Sequence, residues 1–423
     1  MTQRILFAGQ VGESLPPLYA GVPKRALMLA KIWREKGAEV GICFTYHHDH
    51  EDDLGASAEY FFEYPRKPGT KDKFTSLIRR AIRHPFLYLS LLFEALGAFR
   101  FLNKDIILYA AYGVFLDGVA ASFNPTVIIA ESGMHRSFFA ALVAKRRRIA
   151  FILETYAEVH DPTVMYLGSD ENRARFWTEF LAMPECIIAP SDYCGQGPRR
   201  YAPPGKVRMV FATTLEVGKF TADTRTKEEA RSHFKVPREL FITAAVGSYS
   251  PRKGHDHLIE ASAKLAKEGV PVGVVLCGEG DPTWLKKLAG DLGIADRVFF
   301  FQNLSEDDLR LLYKSADLYC DASNTPRACL GIALTEALAT KLPAIAYDAG
   351  GLPEVVEEGK SGYLVPLNDI DALAESIRKV QTLSPAEREH IGAEGLARAK
   401  AVFDLPGIAD ELFEEIGKAT AHA

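Results

Sequence analysis

The chain alternates short, wholly apolar runs with longer segments whose apolar residues recur at helical spacing. Ile5-Leu6-Phe7-Ala8, ending at Gly9, is the first such run, and unbroken hydrophobicity is what a parallel strand covered on both faces requires. After a glycine- and proline-rich loop, Lys24 to Lys36 places Leu27, Leu29, Ala30, Ile32 and Trp33 at helical spacing, with Gly37 as the stop signal. Glu39 to Thr45 reads as the next strand. Strand, helix, strand is a βαβ unit, and right-handed crossovers extend it into a doubly wound sheet. Further strands are expected at Ile106–Tyr109, Thr126–Ala130, Ile149–Leu153 and Cys186–Ala189.

The alternation restarts in the second half. Strands are expected at Phe241–Val246, Val272–Cys277, Arg297–Phe301, Leu318–Cys320 and Pro343–Tyr347. Helices are expected at Asp256–Lys267, Pro282–Leu292, Glu306–Ser315, Ile332–Ala339 and Ile370–Thr382. Tyr201-Ala202-Pro203-Pro204-Gly205 reads as a stiff linker, dividing the chain into domains at 1–205 and 206–402. The fold class is therefore α/β, with two Rossmann-like doubly wound domains facing across a cleft at the carboxyl ends of their strands.

Composition narrows the field. A chain of 423 residues exceeds one ordinary hydrophobic core, and a formal net charge of −5 gives no pull toward nucleic acid. The six cysteines show no CxxC pair, which suits a reducing compartment. Met1-Thr2-Gln3-Arg4 leads directly into a strand without an evident secretory leader, and no uncharged stretch is long enough to cross a bilayer, so a cytoplasmic location is expected.

The most informative segment is Cys329-Leu330-Gly331-Ile332-Ala333-Leu334-Thr335-Glu336. A glycine opens a helix, so free backbone N–H groups and the positive end of the helix dipole face outward, an arrangement suited to a diphosphate without a metal. Glu336, about one turn inside, can accept both hydroxyls of a ribose. Taken alone, the segment reads equally well as an amphipathic helix with a solvated glutamate.

Its surroundings add the context. The ordered set Val246-Gly247, Lys253-Gly254, Gly278-Glu279-Gly280, Arg297-Val298, Ala316-Asp317, Gly331, Glu336-Ala337, Pro343, Gly350-Gly351-Leu352-Pro353-Glu354 and Gly362 resembles the donor domain of retaining GT-B glycosyltransferases of family GT4, the glycosyl transferases group 1. The resemblance covers 206–402 closely and the first half more loosely, where Ala20-Gly21 falls on the family's glycine pair. It implies that Lys253 neutralises the leaving diphosphate and that the backbone at Leu330, Gly331 and Ile332 holds phosphate and sugar oxygens. It further implies that Glu336 binds the ribose, that the chain near Asn303 meets the base, and that Gly21 permits close approach of the N-terminal loop. By the same resemblance the segment from about Phe403 to 423 crosses back onto the first domain, and no cofactor or metal is needed beyond the nucleotide-sugar donor.

Three positions depart from the family pattern. Ala328 stands where the family has a glutamate eight residues before Glu336, Ser248 where it has an arginine, and Gln302 where it has a glycine. Arg252 or Arg327 could restore a cation near the diphosphate. In the first half, Glu154-Thr155-Tyr156 and His160 fall near the family's strand-end histidine, with Tyr156 in its place and His160 just behind; His160 reads equally as a turn residue. Glu131 ends the strand at Thr126–Ala130 and also faces the expected cleft.

Residues 66–104 differ in character. Arg66, Lys67, Lys71, Lys73, Arg79, Arg80, Arg83, Arg100 and Lys104 outnumber Asp72 and Glu94, a local excess of about +7 interleaved with apolar and aromatic residues. Such a segment suits an anionic membrane surface, or a helix pair with a solvated basic face. His47-His48-Asp49-His50-Glu51-Asp52-Asp53 has metal-ligand residue types, but consecutive spacing favours a polar loop, and Asp369-Ile370-Asp371 reads as a helix cap. The expected function is retaining transfer of a sugar from a nucleotide donor to a glycan or lipid-linked acceptor, in surface polysaccharide, lipopolysaccharide or glycolipid assembly. The alternatives are a GT-B protein that binds sugar nucleotide without catalysis, and a dinucleotide oxidoreductase, which the absence of GxGxxG after the first strand disfavours.

Overall fold

A computed structural model describes residues 2–9, 21–44, 58–61, 82–100, 104–132, 134–160, 167, 169–325 and 328–421. The chain divides into two units, Met1–Thr214 with Pro406–Ala423, and Leu215–Leu405.

The first unit is built on seven parallel strands: β1 (Arg4–Gly9), β2 (Glu39–Phe44), β3 (Ala58–Phe61), β4 (Val127–Glu131), β5 (Ala150–Glu154), β6 (Cys186–Ala189) and β7 (Val207–Met209). Their order is β3-β2-β1-β4-β5-β6-β7, reversing direction of growth between β1 and β4. Every residue of β4 and β5 is buried, as the apolar runs require. Gly9 lies opposite Glu131, and Glu131 opposite Glu154, so β1, β4 and β5 end level at the carboxyl edge. The first helix (Gly21–Glu35) stacks Trp33 on Phe7 at 5.7 Å between ring centroids. The last helix (Leu405–Ala421) packs on this unit too, with Trp33 Nε1 donating to the Ala409 carbonyl at 2.9 Å.

Two sequence expectations are corrected here. Ile106–Tyr109 is not a strand; it lies within the helix Lys104–Phe123. That helix packs between Pro85–Phe99 and His135–Arg147, so it is apolar over much of its circumference, and a short apolar run on such a helix has no periodicity to distinguish it from a strand. Residues 201–205 do not separate the units. They precede β7, which pairs with β6, and the division falls at Thr214–Leu215. The edge strands β3 and β7, four and three residues long, are too short to announce themselves.

The second unit repeats the plan with β8 (Phe241–Val246), β9 (Val272–Cys277), β10 (Val298–Phe301), β11 (Leu318–Asp321), β12 (Ala344–Tyr347) and β13 (Gly362–Val365), in the order β10-β9-β8-β11-β12-β13. Its switch point lies between β8 and β11, where ligands of open α/β sheets bind beyond the carboxyl ends. Asp369 caps the helix Ile370–Thr382, accepting from the Ala372 amide at 2.8 Å, which accounts for the Asp-Ile-Asp run.

Candidate functional site

At the switch point of the second unit, the chain leaving β8 passes through Gly247 and Ser248 into a tight turn, Pro251–Lys253, and Gly254 then opens the helix His255–Lys267. Gly254 has φ +63°, and a Cβ there would lie 1.9 Å from the Ala322 carbonyl oxygen. Only glycine permits this approach, which presses the turn against the end of β11. Asn324 reinforces it: its amide donates to the Arg252 carbonyl at 3.0 Å, and its Nδ2 to the Pro251 carbonyl at 3.0 Å.

Lys253 lies along the end of β8. A Cβ on Gly247 would meet Lys253 Cε at 3.1 Å, so the missing side chain makes room for the lysine stem. Among the described residues, no acidic side chain pairs with Lys253 or Arg252. Beneath them, His255 is buried and its Nε2–H donates to the Gly247 carbonyl at 3.0 Å. Burial, with the nearby Lys253 charge, holds the imidazole below its ordinary range and keeps it neutral.

The end of β11 also carries the second half of the site. Gly331, with φ +75°, is the N-cap of the helix Ile332–Ala339, and no side chain caps it. A Cβ there would sit 2.8 Å from Leu352 Cδ2 and 3.1 Å from Asp321 Oδ2. Asp321 is held in turn by the Ser323 amide, which donates to its Oδ1 at 3.1 Å. Asp321 and Ala322 therefore touch both the Lys253 turn and the helix start. The two features that the sequence separates by nearly eighty residues share one strand end.

One turn into that helix, Glu336 is buried, and the Tyr313 hydroxyl donates to its Oε2 at 2.7 Å. Leu330 is buried, while Gly331 and Ile332 are half-buried. Asn303, beyond β10, adopts φ +53°, and Gln302 Nε2 donates to the Gly280 carbonyl at 2.6 Å, tying the loops after β9 and β10 together. The Ser248 and Ser250 hydroxyls are 3.1 Å apart, a hydrogen bond within the turn. Arg327 lies outside the described residues, as do 47–53 and 66–81. Tyr313, His255, Asn324 and Ala322 were missed by sequence reasoning. Their roles depend on contacts between distant elements, and only the glycines marked the places.

In the first unit, Gly21 is the first residue of its helix. Tyr156 follows β5, its amide donating to Glu158 Oε2 at 2.8 Å. His160 stacks on Tyr193 at 5.0 Å, and its Nε2 lies 2.7 Å from the Tyr193 carbonyl and 3.1 Å from the Gly197 amide. In either neutral tautomer that nitrogen is engaged by the helix Asp192–Tyr201, so it anchors the turn. Arg25, Glu131 and Glu154 are buried together at the carboxyl edge, with an Arg25–Glu154 ion pair.

Comparison with known proteins finds relatives of the second unit and of the fold. Residues 226–397 match the family described as Glycosyl transferases group 1. A D-inositol 3-phosphate glycosyltransferase of Mycolicibacterium smegmatis is 36% identical over 186 residues, 44% of this chain and 42% of that protein. The match thus spans less than half of that relative's length. Sucrose-phosphate synthase from Thermosynechococcus elongatus superposes with a TM-score of 0.74 at 19% identity, over 100% of both chains. Anabaena HepE in complex with UDP-glucose gives 0.71 at 18% identity, over 98% of this chain and 99% of that one. These likenesses show a common fold.

Proposed function

We propose, on the premise that the second unit is a glycosyl transferases group 1 domain in a chain of GT-B fold, that this protein transfers a sugar from a nucleoside diphosphate donor to a hydroxyl acceptor. The observation that carries the reading is the convergence on β11 of an unpaired lysine turn and an uncapped helix start. In glycosidic transfer, negative charge grows on the departing diphosphate. Lys253 and the amides at Gly331 and Ile332 meet that charge with preorganised donors, the arrangement that lowers such barriers most. The same neutralisation is what a divalent metal supplies in other transferases, so the proposed reaction proceeds without one. Glu336, oriented by Tyr313, accepts from the ribose hydroxyls, and the loop at Asn303 borders the base. HepE, of the same fold, is described with UDP-glucose bound, which supports a nucleotide-sugar donor here. Retention of anomeric configuration follows from the family resemblance.

Ala328 favours one second reading, a protein that binds the donor without transferring it, because an alanine cannot hydrogen-bond a donor sugar. Its amide and carbonyl are committed to Thr325 and Gly351. Slow donor hydrolysis or transfer, abolished in Lys253→Ala, excludes this reading.

The acceptor proposed is lipid-linked or membrane-borne. Ile82, Phe86, Leu89 and Phe93 recur at helical spacing, and they are 70%, 89%, 45% and 68% exposed. Leu91, Ala95, Ala98 and Phe99 bury the opposite side of the helix Pro85–Phe99. With Arg83 and Arg100 beside it, this stripe suits the interface of an anionic bilayer.

A thermal-shift panel of nucleoside diphosphate sugars tests the donor reading, since a ligand that prefers the native state raises Tm. At least one is expected to raise it. No shift from any of them, at millimolar concentration, overturns the proposal.

A further inference from the structure

The carboxyl edge of the first sheet holds a charge cluster that glycosyl transfer, as argued above, does not use. Glu131 is completely buried, and neither carboxylate oxygen has a hydrogen-bond partner. Its neighbour across the ladder is Glu154, also buried, which pairs with Nη1 of Arg25. Arg25 comes from the first helix and is 2% exposed, and its Nε and Nη2 make no hydrogen bond. Those two nitrogens form the side-on edge of the guanidinium, the edge that grips a carboxylate with two parallel bonds. The gap beside this pair, lined in part by Thr155, Tyr156 and Pro190, leaves no room for a water molecule.

An ionised, unpaired carboxylate in such a place would cost more than a fold of ordinary stability can bear, so such a group keeps its proton instead. Two carboxylates share one guanidinium here, which makes a second ionisation costlier still. Burial and the Glu154 charge push Glu131 well above the usual carboxylate range, and only Arg25 opposes them. Among the described residues, no titratable group other than Glu154 and Arg25 acts on Glu131. β1 presents Gly9 opposite it, and the helix His135–Arg147 supplies the Ser137 hydroxyl to its backbone carbonyl at 3.2 Å. Tyr156 acts on Arg25.

We infer that Glu131 is an uncharged carboxylic acid at neutral pH, and that losing its proton closes the open edge of Arg25 onto it, clamping the start of the first helix to the centre of the sheet. The first helix then has two fixed relations to the sheet edge: Arg25 on Glu154 alone, or Arg25 bridging Glu131 and Glu154. The reading stands independently of glycosyl transfer, because it concerns a proton and an arginine and no substrate.

The test uses the whole chain. Glu131→Gln reproduces the neutral acid without a proton to lose. A group whose pKa is raised on folding contributes stability that is present at low pH and lost as pH rises through the folded value. The wild-type folding equilibrium constant is therefore expected to fall by up to tenfold per pH unit above the ordinary glutamate range. Glu131→Gln should match wild type near pH 5, lack that decline, and melt higher at pH 8. A lower melting point at pH 8, or an unchanged pH profile, overturns the inference. Infrared titration of the wild type is a second measurement that needs no variant. A protonated carboxyl carbonyl band present at pH 7 and lost at alkaline pH supports the inference, and absence of any such band at pH 7 overturns it.

Discussion

A Cβ placed on Gly254 would lie 1.9 Å from the carbonyl oxygen of Ala322. This approach fixes the Lys253 turn to the end of β11, and so fixes the lysine relative to the helix start at Gly331. Gly254→Ala meets both that clash and a left-handed backbone at φ +63°. It is expected to cost ~3 kcal/mol or more in stability. Chemical denaturation of the two proteins side by side checks this; an effect below ~1 kcal/mol contradicts the contact.

The Tyr313 hydroxyl is expected to matter twice. Tyr313→Phe removes the donor to buried Glu336 Oε2, a change that typically costs ~1–3 kcal/mol in stability. Because the bond also orients the carboxylate proposed to hold the ribose, nucleotide affinity should fall as well. Denaturation and a nucleotide titration on the same preparation separate the effects. Unchanged affinity in a folded variant would remove Glu336 from the ribose role.

Acid sensitivity should trace in part to His255. Burial lowers its pKa in the folded protein, so below the ordinary histidine range the unfolded chain binds a proton that the folded chain resists. Stability from this site is full above the ordinary value and is lost as pH falls toward the folded one, at up to ~1.4 kcal/mol per pH unit. Melting curves between pH 7 and 5 for wild type and His255→Gln check the sign. A steeper acid decline in the variant contradicts it.

Flotation with anionic vesicles tests the apolar stripe. Phe86 and Phe93 are exposed, so replacing both with serine should leave Tm within a degree or two while abolishing vesicle binding. Equal flotation of the two proteins would show that the stripe does not meet lipid.

Much of this was legible in the sequence because buried parallel strands announce themselves. Phe241–Val246 and Val272–Cys277 match their expected limits, as does the helix Ile332–Ala339, which opens on the glycine that predicted it. The strand expected at Ile106–Tyr109 failed for the converse reason, since a helix packed on several sides shows no polar face. The family resemblance pointed to Lys253 and Gly331 but not to what holds them. Ala322, Asn324 and Tyr313 act through contacts between elements far apart in the chain, which no local pattern encodes. Glu131 was visible as a strand-end acid. That it lacks a partner, and that Arg25 keeps an edge open, required coordinates.

The most direct measurement is calorimetric titration of the nucleoside diphosphate sugar that most raises Tm, into wild type and Lys253→Ala. Lys253 is half-buried and makes no ion pair among the described residues, so its truncation should leave the fold intact. Affinity is expected to drop at least tenfold, ~1.4 kcal/mol or more, with transfer or donor hydrolysis lost. Equal affinity and equal turnover in the two proteins would contradict the assignment of this turn as the diphosphate grip.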